Sequence, residues 1–334
     1  MSSIKRRDFI VLLGGAAAAW PLAARAQQLD RVRRVGVLMG HAESDPQAQS
    51  EITAFRQGLQ KLGWTGRNIR IAYRYGDGEV SRMRTFAKEL IALQPDAVLA
   101  VTTPAVKALE GETRTIPIGF VRVGDPFGDG LVDNAAKPSG NVTGFTTLEP
   151  SIAGKWLQLL KEIAPGIARV TFMFNPATAP YRGGVDFLHI TEAAALSAGV
   201  KVNAARVHDV ADIERVIATV ASEGNGGLIS APDVFLSVHR DLTIELAARY
   251  RVPTIYQYRY FVTGGGLISY GSDIFAQYAG AAEYIDRILK GAKPTDLPVQ
   301  TPIKYELVIN FKTAKALGLD VPVQLQLRAD EVIE

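Results

Sequence analysis

The feature that most limits how this chain can fold is an alternation of strand-like and helix-like segments that runs once, pauses, and runs again at nearly the same spacing. Val32 to Met39 is an apolar run broken only by Arg33 and Arg34. The segment after it sets Ile52, Phe55, Leu59 and Leu62 at helical spacing before Gly63 stops it. Ile69 to Tyr75 is a second β-rich run, followed by a helix face at Val80, Met83, Phe86, Ala87, Leu90 and Ile91. Ala97 to Val101 and Ile116 to Val121 supply two more strands, with a short helix between them that opens at Thr103-Pro104, a good cap and first-turn pair. After Asn141-Val142-Thr143-Gly144-Phe145 the pattern restarts. Strands are predicted at Val170 to Phe174, Val200 to Val207, Gly227 to Ala231 and Pro253 to Tyr256, and helices over 181–198, 209–222 and 235–250.

The landmarks Gly36, Arg70, Ala97 and Ile118 lie 34, 27 and 21 residues apart, and Arg169, Val202, Leu228 and Thr254 lie 33, 26 and 26 apart. Near-matching intervals predict two Rossmann-like, doubly wound α/β lobes rather than one large barrel. The remaining chain holds a short β run at Leu267 to Tyr270, a helix from Ile274 to Lys290, an extended proline-marked stretch from Pro294 to Pro302, a strand at Tyr305 to Asn310 and a last helix. Crossings between the lobes at 142–146, 268–272 and 298–304 would make a three-strand hinge. The expected division is 32–144 plus 271–299 for the N-terminal lobe and 145–270 plus 300–334 for the C-terminal lobe, an arrangement that lets two rigid bodies close on a ligand.

Charge bears on partners only after the first 26 residues are set aside. They read MSSIKRRDFIVLLGGAAAAWPLAARA: a basic start at Lys5, Arg6 and Arg7, an apolar run from Phe9 to Trp20, and Ala24-Arg25-Ala26 before Gln27. This predicts a cleaved export signal at 1–26 ending near Ala26. Arg6-Arg7 suggests the twin-arginine type, and the apolar run is too short to span a bilayer. Removing it lowers the basic count from 37 to 33 and the acidic count from 34 to 33, so the remaining chain is formally neutral. Nucleic acid loses its compositional support as a partner. No later stretch approaches 18 consecutive apolar residues, and the expected place of work is the periplasm, outside the membrane itself. With no cysteine anywhere, disulfides, cysteine metal sites and thiol nucleophiles are excluded.

The chain has no G-x-G-x-x-G, no P-loop, no H-E-x-x-H and no EF-hand loop, and its four histidines do not pair at metal spacing. Ser269-Tyr270-Gly271 misses the nucleophile elbow because the leading glycine is absent. Nothing here argues for an enzyme, a cofactor or a metal; the alternative of a periplasmic enzyme on an α/β scaffold would need a nucleophile–base or metal constellation, and the sequence offers none. Ligands of open α/β sheets sit outside the carboxyl ends of the strands. That rule selects Glu43 and Ser44 after the first strand, Thr103 after the third, and Asp125 and Pro126 after the fourth. In the second lobe it selects Asn175, Asp233, Tyr256 and Tyr258, and the neighbouring strand adds Tyr270. Each has an ordinary alternative: Thr103 and Asp233 can be helix caps, Asp125-Pro126 and Asn175-Pro176 turn formers, and Glu43, Ser44 and Asp45 a solvated loop. One of Tyr256 and Tyr258 can pack the core edge while the other covers a ligand ring.

The segments VRRVGVLMG, FVRVGDP, KPSGNVTGFT, KWLQLLKEIAPGIARVTFMFNP, GGLISYG, KPTDLPVQTPIKYELVINFKTAKALGL and RADEVIE, with the leading export signal, resemble ABC-transporter substrate-binding proteins related to the tryptophan-binding type. The resemblance covers about residue 32 to 334. It implies a type I periplasmic-binding fold and a receptor that captures a small solute for a membrane permease whose ATPase is a separate chain. It also implies an amino acid, aromatic or other, as the kind of ligand, and places cleft positions on Thr103, Asp125, Asn175 and Asp233. One departure is Asp233-Val234, where relatives tend to carry an Asp-Asn pair. A ligand-sensing module for a membrane kinase or chemoreceptor would share the same fold, and its gene neighbourhood would distinguish it from a transport receptor.

Overall fold

The structure, a computed structural model, describes residues 31–147 and 149–334. The predicted export signal lies outside the described residues. The first sheet has five parallel strands in the order β2-β1-β3-β4-β5: β1 (Arg33–Met39), β2 (Ile69–Tyr75), β3 (Ala97–Val101), β4 (Ile118–Val123) and β5 (Val142–Thr146). Between them run α1 (Pro46–Lys61), α2 (Val80–Ala92) and α3 (Thr103–Glu110). Every side chain of β3 is buried, as expected for a central parallel strand covered on both faces. Helix α1 starts where it does because the Asp45 carboxylate accepts from the Gln47 and Ala48 amides and Pro46 occupies the first turn.

After α4 (Ile152–Ile163) the second sheet builds from β6 (Arg169–Phe174), β7 (Lys201–Arg206), β8 (Gly226–Ser230), β9 (Thr254–Tyr256), β10 (Ile268–Ser272), β11 (Tyr305–Asn310) and β12 (Glu331–Ile333). Its order is β12-β11-β10-β9-β8-β6-β7, with only the β10–β11 pair antiparallel. Its helices are α5 (Val185–Ala198), α6 (Val210–Ser222), α7 (Val234–Val238), α8 (Arg240–Arg249) and α9 (Arg259–Thr263). Then come α10 (Ile274–Leu289), α11 (Phe311–Ala316) and α12 (Val323–Arg328). Helix α10 returns to the first lobe, where it packs on α1 and on β3, β4 and β5. No helix among the described residues is long and apolar enough to cross a membrane.

The chain thus passes between the lobes after β5, after β10 and again near Gln300. That third passage runs beside β5: Thr146 N donates to Gln300 O at 2.8 Å and Gln300 N to Gly144 O at 2.9 Å. Gln277 of α10 ties the hinge to the cleft. Its Oε1 accepts from the Arg122 amide (3.2 Å) and the Thr147 hydroxyl (3.1 Å), and its Nε2 donates to Ser272 Oγ (3.2 Å). The three-strand hinge and the two α/β lobes expected from periodicity are present.

Local departures gather near the cleft. The fourth strand begins two residues later than its pattern suggests and runs on to Val123, with a register shift against β5 and Arg122 at φ 57°. The helix predicted over 181–198 starts only at Val185. Residues 181–184 form a left-handed turn instead, with φ 56° at Tyr181 and 54° at Arg182 followed by Gly183 and Gly184. The helix predicted over 235–250 is two helices that break at His239. Periodicity cannot see these breaks because the apolar residues on either side keep helical spacing. The short final strand β12 also escaped the sequence pattern.

Candidate functional site

Both sheets point their carboxyl ends at one another. The segments there enclose a cavity of about 30 Å³ lined by Thr102, Thr103, Arg122, Gly124 and Thr147, and from the second lobe by Thr178, Pro180, Phe187, Pro232, Asp233, Val234, Ser237 and Tyr258. Of the residues selected from sequence, Thr103, Asp233 and Tyr258 are on its wall.

Asp233 is the acidic group of that wall. It caps α7 through Leu236 N (2.6 Å), accepts from Asn175 N (2.8 Å) and stands 3.4 Å from the Thr178 hydroxyl. All three donors are neutral, so burial dominates and pushes its carboxyl up to about 7. Across the cavity, α3 begins at Thr103, so the cap position falls on Thr102, at φ 89°, rather than on Thr103 as expected, and no side chain makes a capping hydrogen bond. Both hydroxyls are buried without a hydrogen-bond partner. Two residues with unpartnered hydroxyls at a helix start and a carboxylate with no cationic partner therefore line the same small space.

The other selected positions have different employment. Glu43 and Ser44 are exposed, as a solvated loop would be. Asp125 folds back on its own turn, accepting from Phe127 N at 3.1 Å, and its Oδ2 lies where a side chain on Gly128 would have to go. Pro126 is buried, and its carbonyl accepts from the Leu131 and Val132 amides. Asn175 is buried beside the cavity, with its side chain spent on the Ala177 amide at 2.8 Å. Tyr256 stacks on Phe261 in the core, and Tyr270 stacks on Tyr305 beside β11. In these last two cases alternation gave the strand but not which face meets the cleft.

Sequence reasoning missed the charged frame around the cavity. Arg122, next to last in β4, holds a left-handed conformation that costs a non-glycine residue roughly 1–2 kcal/mol. Its Nη1 meets both Glu51 oxygens at 2.9 and 3.1 Å, while its Nη2 donates to the Tyr260 hydroxyl at 2.8 Å. The guanidinium carbon lies 4.9 Å from the centre of the Tyr258 ring. Tyr278 donates to Glu51 Oε2 at 2.7 Å, so the first lobe holds this ion pair and the second lobe lays two tyrosines on it. A lone arginine inside the apolar strand IGFVRV was the available signal. Asp45 is likewise no loop carboxylate. It is buried and takes a bidentate pair from Arg240 of the other lobe at 2.7 and 2.9 Å.

Further contacts show how tightly the lobes have met. A Cβ on Gly124 would stand 2.6 Å from Pro180 and 2.8 Å from the Tyr181 ring, and the Tyr181 hydroxyl donates to Gly124 O at 3.1 Å. Val234, at the place of the expected amide, sits 3.0 Å from where a Cβ on Gly40 would be and packs into the first lobe's core with Leu38 and Met83. That position serves closure of the lobes as well as the cavity wall.

Two α/β lobes on a three-strand hinge, closed over a small cavity at their facing strand ends, define the type I periplasmic solute-binding fold. The chain belongs to the family described as ABC transporter substrate binding protein, whose profile matches residues 39–333. A tyrosine-binding protein of Clostridioides difficile (strain R20291) is 25% identical over 317 residues, covering 92% of this chain and 86% of that protein. A conserved domain protein of Vibrio cholerae superposes with a TM-score of 0.83 at 26% identity, over 90% of this chain and all of the other. The ABC domain from Streptococcus pneumoniae in complex with L-Trp gives 0.82 at 25% identity, over 90% and 99%.

Proposed function

We propose that this protein is a periplasmic receptor of an ABC import system that captures an amino acid, preferentially an aromatic one, by closing its lobes. The closed form is then presented to a membrane permease. The observation that carries the reading is the pairing of Asp233 with Thr102 and Thr103. A buried carboxylate met only by neutral donors suits an ammonium, and two unpartnered hydroxyls at the start of α3 suit a carboxylate, so the wall is complementary to a zwitterion. The Tyr258 ring on the same wall offers an apolar face. The tyrosine-binding relative and the L-Trp complex favour an aromatic side chain. A volume of about 30 Å³ is on the scale of water molecules, so such a ligand enters only as the lobes part. The leading segment with Arg6-Arg7 supports export by the twin-arginine route. In this reading the protein carries out no catalysis and takes no cofactor.

A thermal-shift series on the protein lacking residues 1–26 tests the reading, because a ligand that binds only the folded state raises the melting temperature. L-tyrosine, L-tryptophan and L-phenylalanine should raise it in a concentration-dependent way. A response to sugars with none to any amino acid would overturn the assignment.

A further inference from the structure

His41 follows β1 at the facing edge of the first lobe, is 2% exposed, and has no hydrogen-bond partner at either ring nitrogen. It is the only histidine so placed among the described residues. An imidazole buried without a single hydrogen bond is costly to maintain, and its surroundings make a charged ring costlier still. The charged side chains acting on it are Arg122 from β4 and Arg240 from α8, the second belonging to the opposite lobe. Burial first, and then these two guanidinium groups, hold its ring well below the usual histidine range.

The titratable groups on the surrounding elements do not offer it a free anion. Glu51 of α1 is engaged by Arg122 and Tyr278, and Asp45 of its own loop by Arg240. Tyr258 and Tyr260 lie against Arg122, and Asp77, whose amide donates to His41 O at 3.2 Å, turns its carboxylate to Arg82. Asp233 keeps to the neutral donors of its own lobe and to the proposed solute site. The loop that carries His41 meets the second lobe on both sides, at Gly40 against Val234 and at Asp45 against Arg240, so parting the lobes would remove Arg240 and open the loop to water, where histidine titrates near 6.5.

We propose that lobe closure is coupled to deprotonation of His41, so that the receptor grips its solute at neutral pH and loosens as the medium acidifies. The proposal rests on the solute-capture reading of the cleft and adds its regulation. If only the open form accepts the proton, the apparent affinity falls by the factor by which the open form is protonated. That is about tenfold between pH 7.5 and 5.5 for a group titrating near 6.5.

The test measures closure directly as well as binding. The chain has no cysteine, so single cysteines at the exposed positions Lys88 and Leu196, one in each lobe, accept a pair of distance labels without ambiguity. In the doubly labelled protein, L-tyrosine should bring the labels together, and its midpoint should rise at least tenfold from pH 7.5 to 5.5. In the same protein carrying His41→Gln the rise should be about tenfold smaller. Equal pH profiles in the two proteins overturn the proposal. Should His41→Gln fail to fold, imidazole proton resonances give the answer without a variant. One histidine must titrate near 6.5 in the free protein and stop titrating when L-tyrosine is added, and four histidines unaffected by L-tyrosine at saturation overturn it. If neither L-tyrosine nor any other amino acid moves the labels, the ligand assignment fails. The pH dependence of the ligand-free label distance, absent in His41→Gln, then decides the His41 coupling by itself.

Discussion

Replacing Asp233 with asparagine should make the closed protein more stable above neutral pH while crippling its binding. The wild-type carboxyl titrates at about 7 in the closed structure, against about 3.9 in an unfolded chain. An acid whose pKa is raised by folding resists ionisation in the native state, so stability is lost as pH rises from about 4 to 7 and stays lost above that. About three pKa units correspond to roughly 4 kcal/mol for this fully enclosed group. Asparagine removes that cost and its Oδ1 can still cap Leu236 N, but the Asn175 amide loses an ionic acceptor, which costs about 1–3 kcal/mol. The net gain at pH 8 is on the order of 1–3 kcal/mol, a rise of several degrees in melting temperature. At pH 5 the gain should vanish or reverse. Binding of L-tyrosine in a calorimeter should weaken by roughly 30-fold or more, since a buried charge pair loses one member. A variant that melts below wild type by the same amount at both pH values, with unchanged affinity, would reduce Asp233 to a helix cap and refute the reasoning.

Two other substitutions probe closure. Arg240→Ala removes the bidentate pair to Asp45, which keeps its contacts to the Gln47 and Ala48 amides, so the first lobe should stay intact while affinity for L-tyrosine drops about tenfold. Calorimetry showing wild-type affinity would mean the pair does not hold the lobes together. Gly124→Ala places a methyl group against Pro180 and Tyr181 only when the lobes are shut, an overlap costing about 1–3 kcal/mol. Small-angle scattering should then show reduced compaction at a given L-tyrosine concentration, with the ligand-free melting temperature unchanged, and full compaction at wild-type concentrations would contradict the close approach.

Much of the architecture was legible because parallel α/β units write themselves locally. Completely apolar strands such as AVLAV, helix faces at spacings of three and four, and the helix start at Thr103-Pro104 all act within a few residues of chain. The near repeat of their intervals then implied two lobes. Asp233 and Thr103 could be selected for a related reason: a helix start at a strand's carboxyl end faces the cleft by topology alone.

What sequence could not reach was pairing across the gap between the lobes. Asp45 and Arg240 are 195 positions apart and His41 feels the charge of arginines from different lobes, so nothing local distinguishes them from solvated groups. Arg122 in an apolar strand and Val234 in place of an amide look anomalous until the second lobe is brought against the first. Alternation likewise could not say that Tyr258 faces the cavity while Tyr256 stacks on Phe261 and Tyr270 on Tyr305. The sequence by itself determined the two lobes and the chemistry available at their facing ends. The tertiary structure decided which of those groups meet, because burial and charge pairing between lobes are set by closure rather than by neighbours along the chain.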